Sequence, residues 1–293
     1  MHLSIITINY KKPLLTIVCM QSLYKEYKGH FEKDEFELII VDNFSQDDSV
    51  EILEKEIRKE KYKNVHVLSH KENNGFGGGN NFGAAHAKGD YLLFLNNDTV
   101  VGKGLESMVS YLREHQEIGV LGGVLKNPNG TMQHSFGAFY SLPQVLLLLL
   151  GKERLDSAKT TEQKPQQVDW VKGACFMMTK VLFEKLKGFD EKIFMYTEDM
   201  ELCYRVHLMG KTNWTFPEIE IIHKDQGSSS RSFAIVHIYE GILYFYQKHK
   251  SRTQQVLVKL LLQTKARILV LLGKLIKNEY LSSTYEKALN VVR

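Results

Sequence analysis

The sequence predicts an α/β fold: a Rossmann-like, mostly parallel central sheet with helices on both faces, followed by a helical C-terminal extension. Three observations carry this. Short apolar runs alternate with helix-like stretches over roughly the first hundred residues, the pattern of right-handed βαβ units. Several of those runs stop abruptly at small polar clusters, as Tyr91-Leu92-Leu93-Phe94-Leu95 does at Asn96-Asn97-Asp98. The strongest helical periodicity comes only near the end, at residues 256–277.

Taken in order, residues 3–8 are apolar, end in Asn9-Tyr10 and read as the first strand; Pro13 then opens a helix-like stretch over 14–24. Residues 36–41 form a second strand ending at Asp42-Asn43. Ser45-Gln46-Asp47-Asp48 resembles a helix start, its acids suited to the positive end of the macrodipole, and leads into residues 50–60. Residues 65–68 are a third strand, the Gly/Asn-rich 73–83 runs into a small-residue helix, and 91–95 follows as a strand. Residues 119–125 form another strand, before the turn signal Asn127-Pro128-Asn129-Gly130. Residues 145–150 are apolar but too short to cross a bilayer, and 152–167 are polar and expected to be mobile. Residues 169–179 read as a strand, 181–186 as a short helix, 198–209 as a longer one, and 219–222 as a strand ending at His223.

A chain of 293 residues can bury one large α/β core with a smaller appendage. Cys19, Cys175 and Cys203 are odd in number and widely spaced, which offers neither a disulfide framework nor a zinc pattern and suggests a reducing compartment. The N-terminus lacks the basic region, apolar core and cleavage site of a signal peptide. The net charge of +4 is unevenly spread: residues 248–277 hold eight Lys/Arg and no acid, while the others carry 30 basic against 34 acidic groups. At 100° per residue, Lys259, Gln263, Arg267, Lys274 and Lys277 share one narrow face, and aliphatic residues fill most of the remainder, with Lys265 the exception. Five charges in 22 residues exclude a spanning helix. A basic face on an apolar cylinder suits a helix lying in a membrane interface, and a helix packed on the core with a basic outer face is the alternative. Interleaved aliphatics rather than stacking aromatics argue against a nucleic-acid partner.

Four strand ends finish in polar residues: Thr7 to Asn9, Asp42-Asn43, Asn73-Asn74-Gly75 and Asn96-Asn97-Asp98. In a parallel sheet these ends share an edge, where ligands bind; one polar end is a turn, but four suggest a nucleotide site. Asp98 is a hard oxygen donor suited to Mg²⁺ or Mn²⁺ carrying phosphates. Gly75-Phe76-Gly77-Gly78-Gly79 fits neither phosphate-loop spacing, and a flexible loop explains it equally well. Glu198-Asp199 can be read as helix-start acids or as a base for deprotonating a hydroxyl. His223 is a metal-ligand candidate only in the company of these groups.

Together these motifs resemble family-2 glycosyltransferases of the GT-A fold, over roughly residues 3–230. The matching pieces are Ser4-Ile5-Ile6-Thr7-Ile8-Asn9-Tyr10, Val41-Asp42-Asn43-Phe44-Ser45, Asn74-Gly75-Phe76 with Asn80, and Leu95-Asn96-Asn97-Asp98. They continue with Trp170-Val171-Lys172-Gly173-Ala174, Gly188-Phe189-Asp190-Glu191, Glu198-Asp199, and His223 with Gly227-Ser228. The branch they resemble holds rhamnosyltransferases and related polysaccharide-building enzymes. The resemblance implies a donor half at about 1–125, an acceptor half at about 126–230 and an appended helical region at 231–293.

It also implies roles. Thr7, Asn9, Asp42, Asn74, Gly75, Asn80 and Asn97 would serve the nucleotide-sugar donor, with Thr7, Asn9 and Asp42 at base and ribose and Asn97 facing the ribose. Asp98 and His223 would hold a divalent metal. Asp199 would be the catalytic base with Glu198 beside it, and Trp170 and Gly173 would line the acceptor side. Asn96 and Asn97 stand where the family commonly has acids, so Asp98 is the only carboxylate of that cluster and diphosphate oxygens must complete the metal shell. No Gln-x-x-Arg-Trp segment of processive synthases is present. The implied reaction is inverting transfer of one sugar, from dTDP-rhamnose or a UDP-hexose, to a glycan or lipid-linked glycan at the cytoplasmic face of a membrane. A catalytically silent nucleotide-sugar-binding scaffold and a nucleotidyltransferase are the alternatives.

Overall fold

The computed structural model describes residues 2–151, 164–224 and 230–293. Its first half alternates as expected: β1 (Leu3–Asn9), α1 (Pro13–Glu32), β2 (Phe36–Asp42), α2 (Ser49–Glu60), β3 (Val65–Ser69), α3 (Gly75–His86) and β4 (Tyr91–Leu95). Next come β5 (Thr99–Val101), α4 (Leu105–Glu114), β6 (Ile118–Lys126), β7 (Phe136–Gly137), α5 (Leu142–Leu149), β8 (Gln166–Val168), β9 (Trp170–Val171) and β10 (Cys175–Thr179). The chain closes with α6 (Lys180–Lys185), α7 (Glu198–Leu208), β11 (Thr212–His223), α8 (Arg231–His249), α9 (Arg252–Leu275) and α10 (Glu279–Val292).

The main sheet runs β3-β2-β1-β4-β10-β6-β11-β5, with β8 beside β11. β3, β2, β1 and β4 are mutually parallel, as βαβ units require. β10 enters antiparallel to both β4 and β6, and β11 returns parallel to β6 but antiparallel to β5. Alternation along β1 explains the two faces. Leu3 and Ile5 pack with Cys19, Met20 and Leu23 of α1 and with Leu105 and Met108 of α4, whereas Ile6 packs with Ala84 of α3 and with Leu202 and Val206 of α7. A third apolar cluster joins α5, α8, α9 and α10 through Val145, Phe245, Leu262 and Ala288.

Several expectations are corrected. The Gly/Asn-rich run is itself the start of α3 rather than a loop before it. Its glycines let the helix lie against the sheet: a Cβ on Gly83 would stand 2.6 Å from Ile6 Cγ2. Gly75 has φ +71°, and a Cβ there would meet the Phe194 carbonyl at 2.0 Å. Ser45 does not open α2; its amide and hydroxyl bind Asp42, and the helix starts at Ser49. Residues 169–179 are two strands, because Lys172 to Ala174 leave the sheet. Of the stretch expected to be mobile, 152–163 lie outside the described residues, and 166–168 are strand β8. Gly227 and Ser228 also lie outside the described residues.

Candidate active site

Strand register builds the site. Asn9 pairs with Asp42 across β1 and β2, and Asp42 with Ser69 across β2 and β3, so the parallel strands end level. β10 runs the other way and starts at Cys175 opposite Leu95, which brings Lys172 to Ala174 to the same edge. Asn96 N donates to the Ala174 carbonyl at 3.1 Å, tying the two segments together. β11 finishes with His223 opposite Thr99 of β5, so a residue far downstream sits beside the strand-end cluster. A cavity of about 810 Å³ opens along this edge, a volume typical of small-molecule sites.

Eight of the thirteen residues singled out from the sequence line that cavity: Gly75, Asn97, Asp98, Trp170, Gly173, Glu198, Asp199 and His223. Thr7, Asn9, Asp42, Asn74 and Asn80 are not among its lining residues. Asn9 is fully buried and spends its amide on neighbours: Nδ2 donates to Asp42 Oδ1 at 2.8 Å, and Oδ1 accepts from Thr16 Oγ1 at 2.9 Å. Thr16 Oγ1 in turn accepts from Asn97 Nδ2 at 2.9 Å. These residues therefore form a hydrogen-bonded layer that orients Asn97 from beneath. The side chain of Asn9, to which the resemblance gave a donor contact, is taken up by protein partners.

Sequence reasoning gave no role to several groups at the cavity, among them Asn43, Lys12, Lys172, Tyr196 and Phe233. Asn43 closed one of the four polar strand ends, but the donor role fell to its charged neighbour Asp42, which does not line the cavity. Lys172 stood inside a quoted motif, and only the kink between β9 and β10 reveals that it turns into the site. Phe233 lies on α8, where no local pattern ties it to the strand ends.

Two electrostatic centres share the cavity. At the first, Asp98 Oδ1 and His223 Nε2 are 3.2 Å apart, and both side chains are nearly excluded from solvent. An octahedral cation with ligands about 2.1 Å away holds adjacent donors about 3 Å apart, so this pair fits Mg²⁺ or Mn²⁺. Carboxylate oxygen and imidazole nitrogen are also the right donor types. Among the described residues no cluster of three or more His, Cys, Asp or Glu could hold a metal, so a cation at this pair would need ligand oxygens or water to complete its shell.

At the second centre, Asp199 opens α7 and is held by two backbone donors: Gly173 N to Oδ2 at 2.9 Å and Met200 N to Oδ1 at 2.7 Å. Glu198 Oε2 accepts from Thr197 N at 2.8 Å. Burial pushes the Glu198 carboxyl well above the usual range, and the adjacent Asp199 charge adds to that. Burial also raises Asp199, opposed by its Gly173 and Met200 hydrogen bonds and by the Lys172 charge. Asp199 is therefore the member of the pair that ionises first, and Glu198 is the one that keeps its proton.

The model of glycosyl transferase family 2 matches residues 4–187. The chain belongs to that family. Agl10, a low-salt glycan biosynthesis hexosyltransferase of Haloferax volcanii, is 25% identical over 253 residues, covering 81% of this chain and 72% of that protein. The rhamnosyltransferase WbbL of Escherichia coli is 27% identical over 161 residues, 51% of this chain and 60% of its own length. The N-acetylglucosaminyl-diphospho-decaprenol L-rhamnosyltransferase of Mycobacterium tuberculosis is 27% identical over 154 residues, 48% of this chain, and the match spans about half (49%) of that protein. Among solved structures, GalNAc-T7 with UDP, GalNAc and Mn²⁺ superposes with a TM-score of 0.63 at 15% identity, over 84% of this chain and 47% of that one. The mannosyltransferase PcManGT of Pyrobaculum calidifontis, with GDP-Man and Mn²⁺, gives 0.60 at 12% identity over 99% and 85%. At such identities these structures establish the fold alone, which is GT-A. As a family-2 member the chain is a nucleotide-sugar-dependent glycosyltransferase, and the nucleotidyltransferase alternative falls away.

Proposed function

We propose that this glycosyltransferase moves one sugar from a nucleoside-diphosphate donor, dTDP-rhamnose or a UDP-hexose, to a glycan or lipid-linked glycan, with inversion at the anomeric carbon. The observation that carries this reading is the single cavity that brings the Asp98–His223 pair together with Asp199. Asn97, oriented from beneath by Thr16 and Asn9, faces the donor ribose. Asp98 and His223 would hold Mg²⁺ or Mn²⁺, which when bound would neutralise charge on the departing diphosphate. Trp170 offers a flat apolar surface for a sugar ring on the acceptor side, and the Gly173 amide holds the base in place.

Asp199 accepts the proton of the acceptor hydroxyl as that oxygen attacks the anomeric carbon. The bond from that carbon to the diphosphate oxygen breaks on the opposite face, and its electron pair leaves with the nucleoside diphosphate. The Lys172 charge favours the ionised carboxylate that this step requires. Because each of its oxygens already accepts one backbone N–H, Asp199 presents its remaining lone pairs in a fixed direction.

We further infer that α9 rests on the cytoplasmic face of a membrane, so that a lipid-linked acceptor and the cavity meet. Among the described residues no helix is long and apolar enough to cross a membrane. α9 is apolar on two sides. Val258, Leu262, Ala266 and Val270 are buried against its neighbours, while Leu257, Leu260, Ile268, Leu271 and Leu275 form a second, exposed stripe. Arg267 falls beside that exposed stripe, where it would meet anionic headgroups, whereas Lys274 pairs with Glu286 of α10 at 2.9 Å.

The test is transfer from a panel of dTDP- and UDP-sugars to short synthetic glycan and lipid-diphosphate-glycan acceptors, with the product's anomeric configuration read by NMR. A new bond of inverted configuration is expected with one donor of the panel. Retained configuration would contradict the displacement mechanism. Donor binding without transfer or hydrolysis would point instead to a silent scaffold.

A further inference from the structure

We propose that Gln133 is a positioning residue that fixes the His223 imidazole with its proton on Nδ1 and leaves the Nε2 lone pair facing Asp98. Nothing in the sequence singles out Gln133. It follows the 127–130 turn, next to the bridge between Lys126 and Met132, and its side chain grips His223 at two points. Gln133 Nε2 lies 2.7 Å from the His223 backbone carbonyl oxygen and 2.7 Å from Asn127 Oδ1. A backbone carbonyl can only accept, so this end of the amide must be the NH₂ group.

The other end is therefore the oxygen, and it stands 2.8 Å from His223 Nδ1. Oxygen accepts, so Nδ1 carries the proton. A neutral imidazole has one ring proton, which leaves Nε2 bare. Nε2 lies 3.3 Å from Asn96 Nδ2 and 3.2 Å from Asp98 Oδ1. The Asn96 amide can donate into that lone pair. The Asp98 carboxylate cannot, so with the ring neutral two electron-rich atoms face each other across a gap that suits a cation. A metal-bound histidine is commonly oriented in this way through its second nitrogen. Gln133 holds both the ring and the backbone of His223, so it sets the direction of the lone pair as well as its availability.

The purpose of this arrangement rests on the metal reading above; the tautomer itself does not. Nitrogen-15 NMR of the histidine rings in the metal-free protein at pH 8, with the His223 signals assigned by their loss in His223→Asn, reads the tautomer directly. Wild type should show the proton on Nδ1 alone. Gln133→Leu should shift it toward Nε2, whereas Gln133→Glu, which keeps an acceptor oxygen, should leave it on Nδ1. The Mn²⁺ concentration giving half-maximal UDP binding should rise about 10–100-fold in Gln133→Leu and by a smaller factor in Gln133→Glu, which keeps the acceptor for Nδ1 but loses the donor to the His223 carbonyl. UDP affinity without metal should be alike in all three proteins. A proton on Nε2 in the wild type overturns the proposal. So does a Leu variant that keeps the tautomer, or one that loses metal-free UDP affinity by the same factor. If wild-type UDP binding ignores Mn²⁺, the metal reading fails, and the ring spectra alone decide the role of Gln133.

Discussion

Glu198 and Asp199 are chain neighbours placed in different electrostatic positions. Asp199 draws two backbone donors and the Lys172 charge, while Glu198 is buried beside an ionised neighbour. A carboxyl raised in the folded state favours folding while it is protonated. That contribution is complete below the ordinary carboxylate range and is lost as pH rises through the raised value of about 8. Glu198→Gln, which keeps the acceptor for Thr197, should therefore melt above wild type at pH 9 and lose that advantage by pH 5. Melting curves at pH 5, 7 and 9 check this, at roughly 2–4 °C per kcal/mol for a chain of this size. An advantage that does not change with pH would mean that Glu198 titrates normally. For Asp199 the sign concerns rate. The proposed base must be ionised, so kcat/KM should fall on the acid side at a pH above the usual aspartate range, and a pH–rate profile measures it.

At the scale of elements, the parallel strands and the helices α2 and α9 were legible because burial there follows one period. α3 was not. Glycine reads as a breaker, yet here its missing side chains let the helix approach β1 and β2 closely. Gly83→Val should force Ile6 and Val41 apart and cost about 1–3 kcal/mol, visible as a lower unfolding midpoint in urea. The kink between β9 and β10 was hidden because 169–179 is apolar enough for one strand, and only the meeting of Gly173 with Asp199 requires the break. α8 shows no clean stripe because it packs on the core along one side and on α9 and α10 along another. Its junction with α7 is polar and buried: Glu201 has no solvent exposure and binds Arg205, Lys248 and His249 at 2.7–3.0 Å. Burial alone would raise the Glu201 carboxyl, but the His249 hydrogen bond and the Arg205 and Lys248 charges bring it below its ordinary value. Its contribution is present above the ordinary range and is lost as pH falls through the lowered one. Glu201→Ala removes the acceptor these side chains share, leaving Lys248 only Asp190 and Arg205 only the Leu186 and Gly188 carbonyls, and should lower the unfolding midpoint in chemical denaturation.

Across the whole molecule, charge divides where the helical extension begins. Residues 231–293 carry 11 Lys/Arg against 3 acids, and residues 1–230 carry 27 against 31. The basic face of α9 was visible in the sequence, but not that Lys259, Gln263 and Lys274 on it bind Arg293, Val292 and Glu286, and the second apolar stripe emerges only once the first is seen to be buried. Replacing Leu260, Ile268 and Leu271 together with serine should release the protein from phosphatidylserine vesicles while leaving its melting temperature unchanged, because all three are exposed. Undiminished co-sedimentation would refute a membrane role for that stripe. The candidate site residues show the same split between local and global information. Asp98 and Asp199 were legible as motif members, whereas their meeting depends on β10 running against its neighbours and β11 returning beside β5. Gln133 carried no local signal, because its significance lies in a contact across 90 residues.

The central claim, that Asp199 is the base of a transfer whose donor binds at Asp98 and His223, meets its most direct test in Asp199→Asn. The asparagine keeps an acceptor for the Gly173 amide but cannot take a proton. The measurement is the single-turnover transfer rate of the variant, with donor affinity determined on the same sample. The account predicts a loss of about 10²–10⁴-fold in rate with donor affinity within a few-fold of wild type. A variant that keeps more than a few per cent of the wild-type rate would contradict it.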